Sequence, residues 1–171
     1  RSNVECCMAN NLRFWVIRAG KKGAAQELFL EKNTIALAGS ELNDLSKIKP
    51  TRESFYALYR KLHPDETRAG SSGIAGKFFR FKNEILIGDI VLYPELVEKL
   101  VYIGKITGAY KFIKSSEYPH QRTVKWKYAI PKIGFTQSAR YELGAARTFY
   151  EFKKNKQELI EKMSTHYLLV K

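Results

Sequence analysis

The sequence predicts an α+β domain in which helices flank a small, curved β-barrel. Short runs of β-branched and aromatic residues, each bounded by glycine or proline, are typical of strands, and stretches with apolar residues at helical spacing lie between them. The two kinds of element follow one another without the regular alternation that a doubly wound parallel sheet requires. With 171 residues, of which 44% are hydrophobic, the chain can bury one substantial core.

The first predicted elements are a strand, a helix and a second strand. Residues 12–18 are aromatic and β-branched and stop before Gly20, which indicates a strand. Residues 21–32 have apolar residues at the spacing of a short amphipathic helix. Residues 34–38 then predict a second short strand, which ends at a Gly-Ser pair.

The middle of the chain predicts two helices joined by a turn. Thr51 is a suitable N-cap for the first helix and Pro64 ends it, and its apolar face carries Phe55, Leu58, Tyr59 and Leu62. Residues 69–73 are rich in glycine and serine, which predicts the turn. Residues 74–83 predict the second helix, with three phenylalanines that pack in part on the core.

The second half is predicted to be richer in strands, at residues 90–93, 100–107, 123–126 and 149–152, with a helical turn over 138–143. The predicted domain therefore spans residues 12–152. Residues 1–11 are interpreted as a leader, or as residues that precede a native start at Met8. Residues 153–171 are interpreted as a charged helical tail or a linker to a further domain.

The charge balance indicates a polyanionic partner. The chain has 30 Lys and Arg against 17 Asp and Glu, a formal net charge of +13, which favours nucleic acid ahead of a membrane surface. No apolar run approaches the ~18 residues of a membrane span, so no membrane partner is expected. The two cysteines, Cys6 and Cys7, are adjacent and cannot form a long-range disulfide framework, which fits a reducing, cytoplasmic location.

Catalytic motifs are missing from the sequence, so we expect neither catalytic residues nor a metal or other cofactor. His63, His120 and His166 are scattered, and no nucleophile elbow, Walker loop or dinucleotide fingerprint occurs. A self-contained nuclease that uses Asp65 and Glu151 is one alternative. Another is a protein-interaction module whose basic face is incidental.

Basic and aromatic residues are interleaved along the chain, which is typical of nucleic-acid binding. The candidate phosphate-binding residues are Lys21, Lys22, Lys77, Arg80, Lys82, Arg122, Lys125 and Lys127. The candidate aromatic walls of a base pocket are Trp15, Phe78, Tyr93, Tyr102 and Trp126. The competing interpretation is that these rings belong to the hydrophobic core, where most aromatic residues lie.

Two further features are candidate contacts for a base or a phosphate. The glycine- and serine-rich turn places the backbone amides of Ser72, Gly73 and Ile74 at a predicted helix N-terminus, where they can bind an anion or a base edge. The alternative is an ordinary connector. Asp89 follows Gly88 and is most simply a turn residue, but its carboxylate can also accept a hydrogen bond from an exocyclic amino group.

The order of these motifs resembles that of the PUA-like superfamily, which includes the EVE and YTH domains. Residues 14–19, Phe-Trp-Val-Ile-Arg-Ala, are similar to its opening strand. Residues 72–80, followed by the Gly-Asp-hydrophobic run at 87–93, are similar to the EVE helix and the strand after it. Over residues 12–152 the closest likeness is to the modified-DNA-recognition modules of Mrr-like and McrB-type restriction proteins.

This resemblance implies a pocket that accepts a flipped, often methylated, base. Arg18 and Ala19 would lie at the mouth of that pocket, and residues 72–74 on its wall. The implied function is the DNA-binding specificity module of a modification-dependent restriction system, with duplex DNA that carries a modified base as its partner. Any cleavage would come from a further domain or subunit of the restriction complex. The alternative within the same superfamily is an RNA-binding domain.

Overall fold

Seven strands form one mixed sheet, which curls into a half-barrel and is flanked by helices, in the computed structural model of residues 11–165. The strands are β1 Phe14–Ile17, β2 Thr34–Leu37, β3 Ile90–Pro94, β4 Leu100–Ile106, β5 Lys111–Phe112, β6 His120–Pro131 and β7 Phe149–Glu151. The helices are α1 Gln26–Leu30, α2 Arg52–Leu62, α3 Arg68–Phe79, α4 Gln137–Leu143 and α5 Lys156–Ser164. The predicted α+β class and the curved sheet are confirmed.

The strand order is β2-β6-β4-β3-β1-β7, and β5 pairs with β6 beside this path. The β1–β3 pair is parallel and the other pairs are antiparallel. The strands β2 and β7 therefore stand at the two ends of this path, and the short β5 has β6 as its partner. The long strand β6 joins the β2 side to the rest, because its first residues pair with β2 and its later residues pair with β4.

The sheet buries both of its faces, which follows from the period-two alternation of side chains. In β1, Trp15 and Ile17 enter a first core, which also contains residues of α1, α2 and α3. Phe14 and Val16 point the other way into a second core, shared with α4 and α5. Short β-branched and aromatic strands are the expected sequence for a sheet covered on both sides.

The predicted turn at residues 69–73 is wrong, because those residues form the first part of α3. Thr67 is the N-cap of this helix, and its hydroxyl accepts a hydrogen bond from the Gly70 amide at 3.0 Å. Glycine and serine are poor helix formers, but here α3 packs along α2, and tertiary packing outweighs propensity. The helix continues as a π-helical turn over Arg80–Glu84.

The predicted helix over 21–32 is shorter than expected. A 3₁₀ turn spans Lys21–Gly23 and only Gln26–Leu30 is α-helical. The backbone has positive φ at Gly20 (68°), Lys22 (55°) and Gly23 (79°), which interrupts a continuous helix.

Part of the predicted tail packs on the domain. The helix α5 buries Leu159 completely in the second core. The predicted leader with Cys6 and Cys7, apart from Asn11, and the last predicted tail residues, which include His166, lie outside the described residues.

Candidate functional site

An open cleft of about 730 Å³ lies between the two edges of the half-barrel. Residues 36–39, at the end of β2, form one side, and Arg18, Gly20 and Thr148, near the ends of β1 and β7, form the other. The helices α2 and α3 contribute Tyr59, Ile74, Lys77 and Phe78, and the segment before β6 contributes Glu117 and Tyr118. The cleft therefore exists because the sheet does not close into a full barrel.

The β2 edge brings unpaired backbone groups to this cleft. In the β2–β6 ladder the Val124 amide donates to the Asn33 carbonyl at 2.9 Å, so the alternate residues, Ile35 and Leu37, exchange hydrogen bonds with β6. The amide and carbonyl of Ala36 consequently point away from β6, although this residue is only 1% exposed. Ala38 follows the end of β2 and is exposed. Both alanines line the cleft. The four residues of β2 are buried, so only the backbone of Ala38, just beyond the strand, is exposed on this side of the cleft.

Aromatic rings of the cleft sit directly on glycine backbone. At Gly39 (φ 109°), an added Cβ would lie 2.5 Å from Cζ of Phe78. At Gly20 (φ 68°), it would lie 2.6 Å from the hydroxyl oxygen of Tyr118. Both positions therefore require glycine for two reasons. The backbone angle disfavours other residues, and the ring occupies the space that a Cβ would need. A third ring, Tyr59, stacks on His63 with centroids 4.3 Å apart.

Four cationic side chains line the cleft, and two carboxylates partly balance them. The cations are Arg18, Lys21, Lys22 and Lys77, and the carboxylates are Glu41 and Glu117. Among residues 11–165 neither Lys21 nor Lys22 has an ion-pair partner. The cleft therefore carries an excess of positive charge.

Lys77 and Arg18 are the two partly buried cations of the cleft. The Lys77 ammonium lies 4.7 Å from the centroid of the Phe78 ring, and burial lowers its pKa, while the charge of Glu41 opposes that shift. Arg18 donates to the Ala145 carbonyl at 2.5 Å, but its buried Nε has no hydrogen-bond partner among the described residues. The Arg18 guanidinium is therefore held in place by the protein, although its Nε donates no hydrogen bond within the described residues.

A buried chain of hydrogen bonds holds the Gly39 side of the cleft in place. His120 Nε2 lies 2.8 Å from the Gly39 carbonyl, which only accepts, so Nε2 carries the proton. His120 Nδ1 then accepts from the Tyr110 hydroxyl at 2.8 Å, and that hydroxyl accepts from the Leu45 amide at 3.0 Å. Burial lowers the pKa of His120, which keeps the imidazole neutral in this arrangement.

Some predicted site residues do meet in the cleft: Arg18, Lys21, Lys22, Ile74, Lys77 and Phe78. Ala19 and Tyr93 instead border a separate cavity of about 70 Å³, which shares Arg18, Gly20 and Lys22 with the cleft. Arg80 lies one helical turn beyond Lys77, outside the cleft lining.

The predicted aromatic walls Trp15, Tyr93, Tyr102 and Trp126 belong to the first core. Trp15 is completely buried and donates from Nε1 to the Asp89 carboxylate at 3.0 Å, and Asp89 also accepts from the Leu86 amide at 2.9 Å. Trp126 Nε1 donates to the Phe29 carbonyl at 2.7 Å. The expectation that Trp15, Trp126 and Asp89 face a base is therefore wrong in this structure, because their polar atoms are already used inside the core.

Two predictions about anion contacts are also wrong. Ser72, Gly73 and Ile74 lie inside α3, not at its N-terminus, so their amides belong to the helix. Arg122 is 5% exposed and donates to the carbonyls of Phe81, Lys82 and Gly108, which makes it an internal cross-link. Burial lowers its pKa to about 10.

The other predicted phosphate contacts lie away from the cleft. Lys125 alternates with Val124 and Trp126, which point into the first core, so it is exposed on the opposite face of the sheet. Lys127 lies further along the same strand, and the Lys82 ammonium lies 5.7 Å from the Tyr110 ring centroid.

Sequence reasoning missed Tyr118, Gly39, Glu41, Glu117 and Thr148. Tyr59, predicted on the apolar face of a helix, is 6% exposed within the first core and also borders the cleft. Four of the missed residues, Gly39, Glu117, Tyr118 and Thr148, come from connecting segments, which carry no periodicity. The available signals were weak: a glycine directly after β2, and a Tyr-Pro pair directly before β6.

A family model described as a domain of unknown function, DUF8426, matches residues 15–153. No curated protein matches the chain. Across residues 11–165, no helix has the length and apolar character to cross a membrane. The same residues contain no group of three or more His, Cys, Asp or Glu side chains placed to hold a metal ion.

Proposed function

The chain belongs to the DUF8426 family of unknown function, and we propose that it is a DNA-binding module that reads a modified base rotated out of the duplex into the cleft. The observation that carries the proposal is the cleft itself, where cations and aromatic rings converge. Its volume of about 730 Å³ lies within the range of known ligand sites, ~300–1,000 Å³.

Each component of the cleft has a role in this proposal. Lys21 and Lys22, exposed at the rim, contact backbone phosphates. Tyr118, which is half-buried, stacks on the extruded base. The exposed backbone of Ala38, which lines the cleft, hydrogen-bonds the polar edge of that base.

The energetics are compatible with extrusion. Rotating a base out of the stack costs a few kcal/mol, and stacking on one aromatic side chain returns ~1–3 kcal/mol per base. Burying one methyl group contributes only ~0.8 kcal/mol, so a tight wall must add to the discrimination. Phe78 is 3% exposed and seated on Gly39, and it supplies a rigid wall of this kind.

The proposal extends to the setting of the module. We infer a PUA-like fold, to which the curled sheet and flanking helices correspond in outline, and a cytoplasmic restriction system in which this chain supplies specificity. Any cleavage is then the work of another domain or subunit. An RNA-binding role for the same cleft is a separate outcome of the experiment below.

The test is equilibrium binding at one fixed salt concentration. Identical duplexes carry 5-methylcytosine, 5-hydroxymethylcytosine, N6-methyladenine or no modification, and single-stranded RNA of equal length serves as competitor. We expect one modified duplex to bind about tenfold more tightly than the unmodified one, equivalent to about 1.4 kcal/mol. Equal binding of all duplexes contradicts base reading, and stronger binding of the RNA supports the RNA alternative.

Two variants test whether the preference for the modified duplex depends on the cleft. Tyr118→Leu removes the stacking ring and is expected to reduce the preference for the modified duplex about tenfold, from the ~1–3 kcal/mol of one stacked base. Lys125→Gln is the control, since Lys125 is exposed on the opposite face of the sheet and its change leaves the preference intact. Circular dichroism confirms that each variant is folded.

A further inference from the structure

A cluster of arginines lies on the side of α3 that carries Gly76, where Gly76 and Arg52 border a second cavity of about 530 Å³. Gly76 has no side chain, and the position that its Cβ would take lies 3.1 Å from Nη1 of Arg80 and 3.4 Å from Nη1 of Arg52. Arg80 also donates from Nη2 to the Phe149 carbonyl at 3.3 Å, which ties it to the start of β7. Arg147 lies two residues earlier in the chain, with its guanidinium 5.3 Å from the Tyr150 ring centroid.

The cluster has more positive than negative charge. Glu84 pairs with Arg52 at 2.6 Å and with Arg13 at 3.2 Å. Glu151 pairs with Arg13 at 2.6 Å and lies 3.7 Å from Lys153. Arg80 and Arg147 have no carboxylate partner among residues 11–165.

Arg80 in particular is held with unused hydrogen-bonding capacity. Its buried Nε has no partner among the described residues, and such orphaned donors are uncommon in native proteins. Burial, together with the nearby charges of Arg147 and Arg52, lowers its pKa. An anion beside the guanidinium groups of Arg52, Arg80 and Arg147 would relieve the repulsion between them.

The location connects this cluster to the cleft. Arg80 follows cleft residue Lys77 by about one helical turn, and Arg147 immediately precedes cleft residue Thr148. A nucleic-acid strand that places a base in the cleft must carry its phosphates away from it. Arg80 and Arg147 are each close along the chain to a residue that lines the cleft, which makes them candidates to contact those phosphates.

We propose that Arg52, Arg80 and Arg147 bind a phosphodiester group of the nucleic-acid strand whose base occupies the cleft. Guanidinium groups suit this ligand because their planar donors match phosphate oxygens and stay charged at neutral pH. The inference rests on the proposed function for the identity of the strand. Free inorganic phosphate offers the same chemistry and is the competing ligand.

The experiment measures binding to the modified and the unmodified duplex over a range of salt concentrations. Arg147→Gln, in which the altered residue is exposed, and Arg80→Gln are each expected to lower the steepness of log affinity against log salt by about 1. Both duplexes should lose affinity by the same factor, so the preference for the modified base is retained. Lys125→Gln removes one charge from the opposite face and is expected to leave the steepness unchanged.

The possible results separate the two proposals. Unchanged steepness in both arginine variants, with the base preference intact, overturns the phosphodiester site and leaves the proposed function standing. Reduced steepness without any base preference in the wild type supports the phosphodiester site and contradicts base reading. If inorganic phosphate raises the melting temperature of the wild type while the arginine variants keep the wild-type steepness, the cluster binds free phosphate and the proposal is wrong. Arg147→Gln keeps the test valid if Arg80→Gln fails to fold.

Discussion

The interior around Trp15, Tyr93 and Trp126 and the cleft around Tyr59, Phe78 and Tyr118 are both rich in aromatic rings, but they use their polar atoms differently. In the interior, the two indole groups and the Tyr93 hydroxyl all have internal hydrogen-bond acceptors. In the cleft, the hydroxyls of Tyr59 and Tyr118 have no hydrogen-bond partner within residues 11–165.

Tyr59 and Phe78 belong to the same core as Trp15, Tyr93 and Trp126 but also line the cleft, so the hydrogen bonding of the polar atoms, not burial, separates the two groups. A buried polar atom that already makes a hydrogen bond within the protein contributes to stability and is not free to bond a ligand. The two tryptophans have basic neighbours in the sequence, as nucleic-acid-binding rings often do, but their partners Asp89 and Phe29 are distant in the chain. Only the folded structure distinguishes the two groups.

The largest expected effect is on the free energy of unfolding, for substitutions in the buried interior. Trp15→Ala and Trp126→Ala each leave a cavity and an unsatisfied acceptor, so we expect the free energy of unfolding to fall by about 3–5 kcal/mol. Tyr118→Ala, in the half-exposed cleft ring, should cost less than about 1 kcal/mol. Urea denaturation of the three variants measures the contrast, and equal losses would remove the distinction between the two regions.

The next effect concerns Arg122, predicted from sequence as a phosphate contact. Arg122→Gln leaves the carbonyls of Phe81, Lys82 and Gly108 without their shared donor. We expect a loss of about 2–3 kcal/mol in the free energy of unfolding. Where the variant stays folded, the salt dependence of duplex binding should match the wild type. A changed salt dependence with unchanged stability would show that Arg122 contacts phosphate after all.

A smaller effect is expected at the glycine beneath the Tyr118 ring. Gly20→Ala introduces a side chain at φ 68° and within 2.6 Å of the Tyr118 hydroxyl. We expect a stability loss of about 1–2 kcal/mol, together with a weaker preference for the modified duplex because the ring is displaced. Gly73→Ala is the matched control, since nothing lies within 4 Å of its added Cβ. Equal binding by both variants and the wild type argues against a role for the ring.

The smallest stability change is expected from acidification, through His120. Its pKa in the folded protein lies below the ordinary value of 6.5, so the unfolded chain binds the proton more readily. Stability should therefore be full above pH 6.5 and decline as the pH falls through the folded-state pKa. Urea titrations of the wild type and of His120→Gln at several pH values measure this, and the variant should lose that part of the decline. An identical pH dependence in both proteins would contradict a buried, neutral His120 imidazole.

Much of the sheet could be predicted because each strand has a local sequence pattern that is typical of strands. β1, β2 and β3 are short aromatic and β-branched runs with glycine or proline nearby, and α2 carries its own N-cap at Thr51. The start of α3 could not be predicted, because Gly70 and Ser71 are helical only through packing on α2.

The cleft could be predicted only in part. Arg18 and Phe78, predicted for a base pocket, and Lys77, predicted as a phosphate contact, all line the cleft. Each carries a charge or a ring beside a recognisable element. Tyr118 and Gly39 were missed because what brings them together is the curl of the sheet, which places the end of β2 opposite the ends of β1 and β7. That geometry depends on pairing between distant strands, which no local pattern encodes.

The most direct test of the central claim, that the cleft holds a base taken out of the duplex, compares a paired and a mismatched target base. A mismatched base costs less to extrude, so a duplex with the modified base in a mismatch should bind the wild type about tenfold more tightly than the fully paired duplex. Tyr118→Leu should lose most of this gain, while Lys125→Gln keeps it. Equal affinity of the wild type for the paired and the mismatched duplex would contradict extrusion into the cleft.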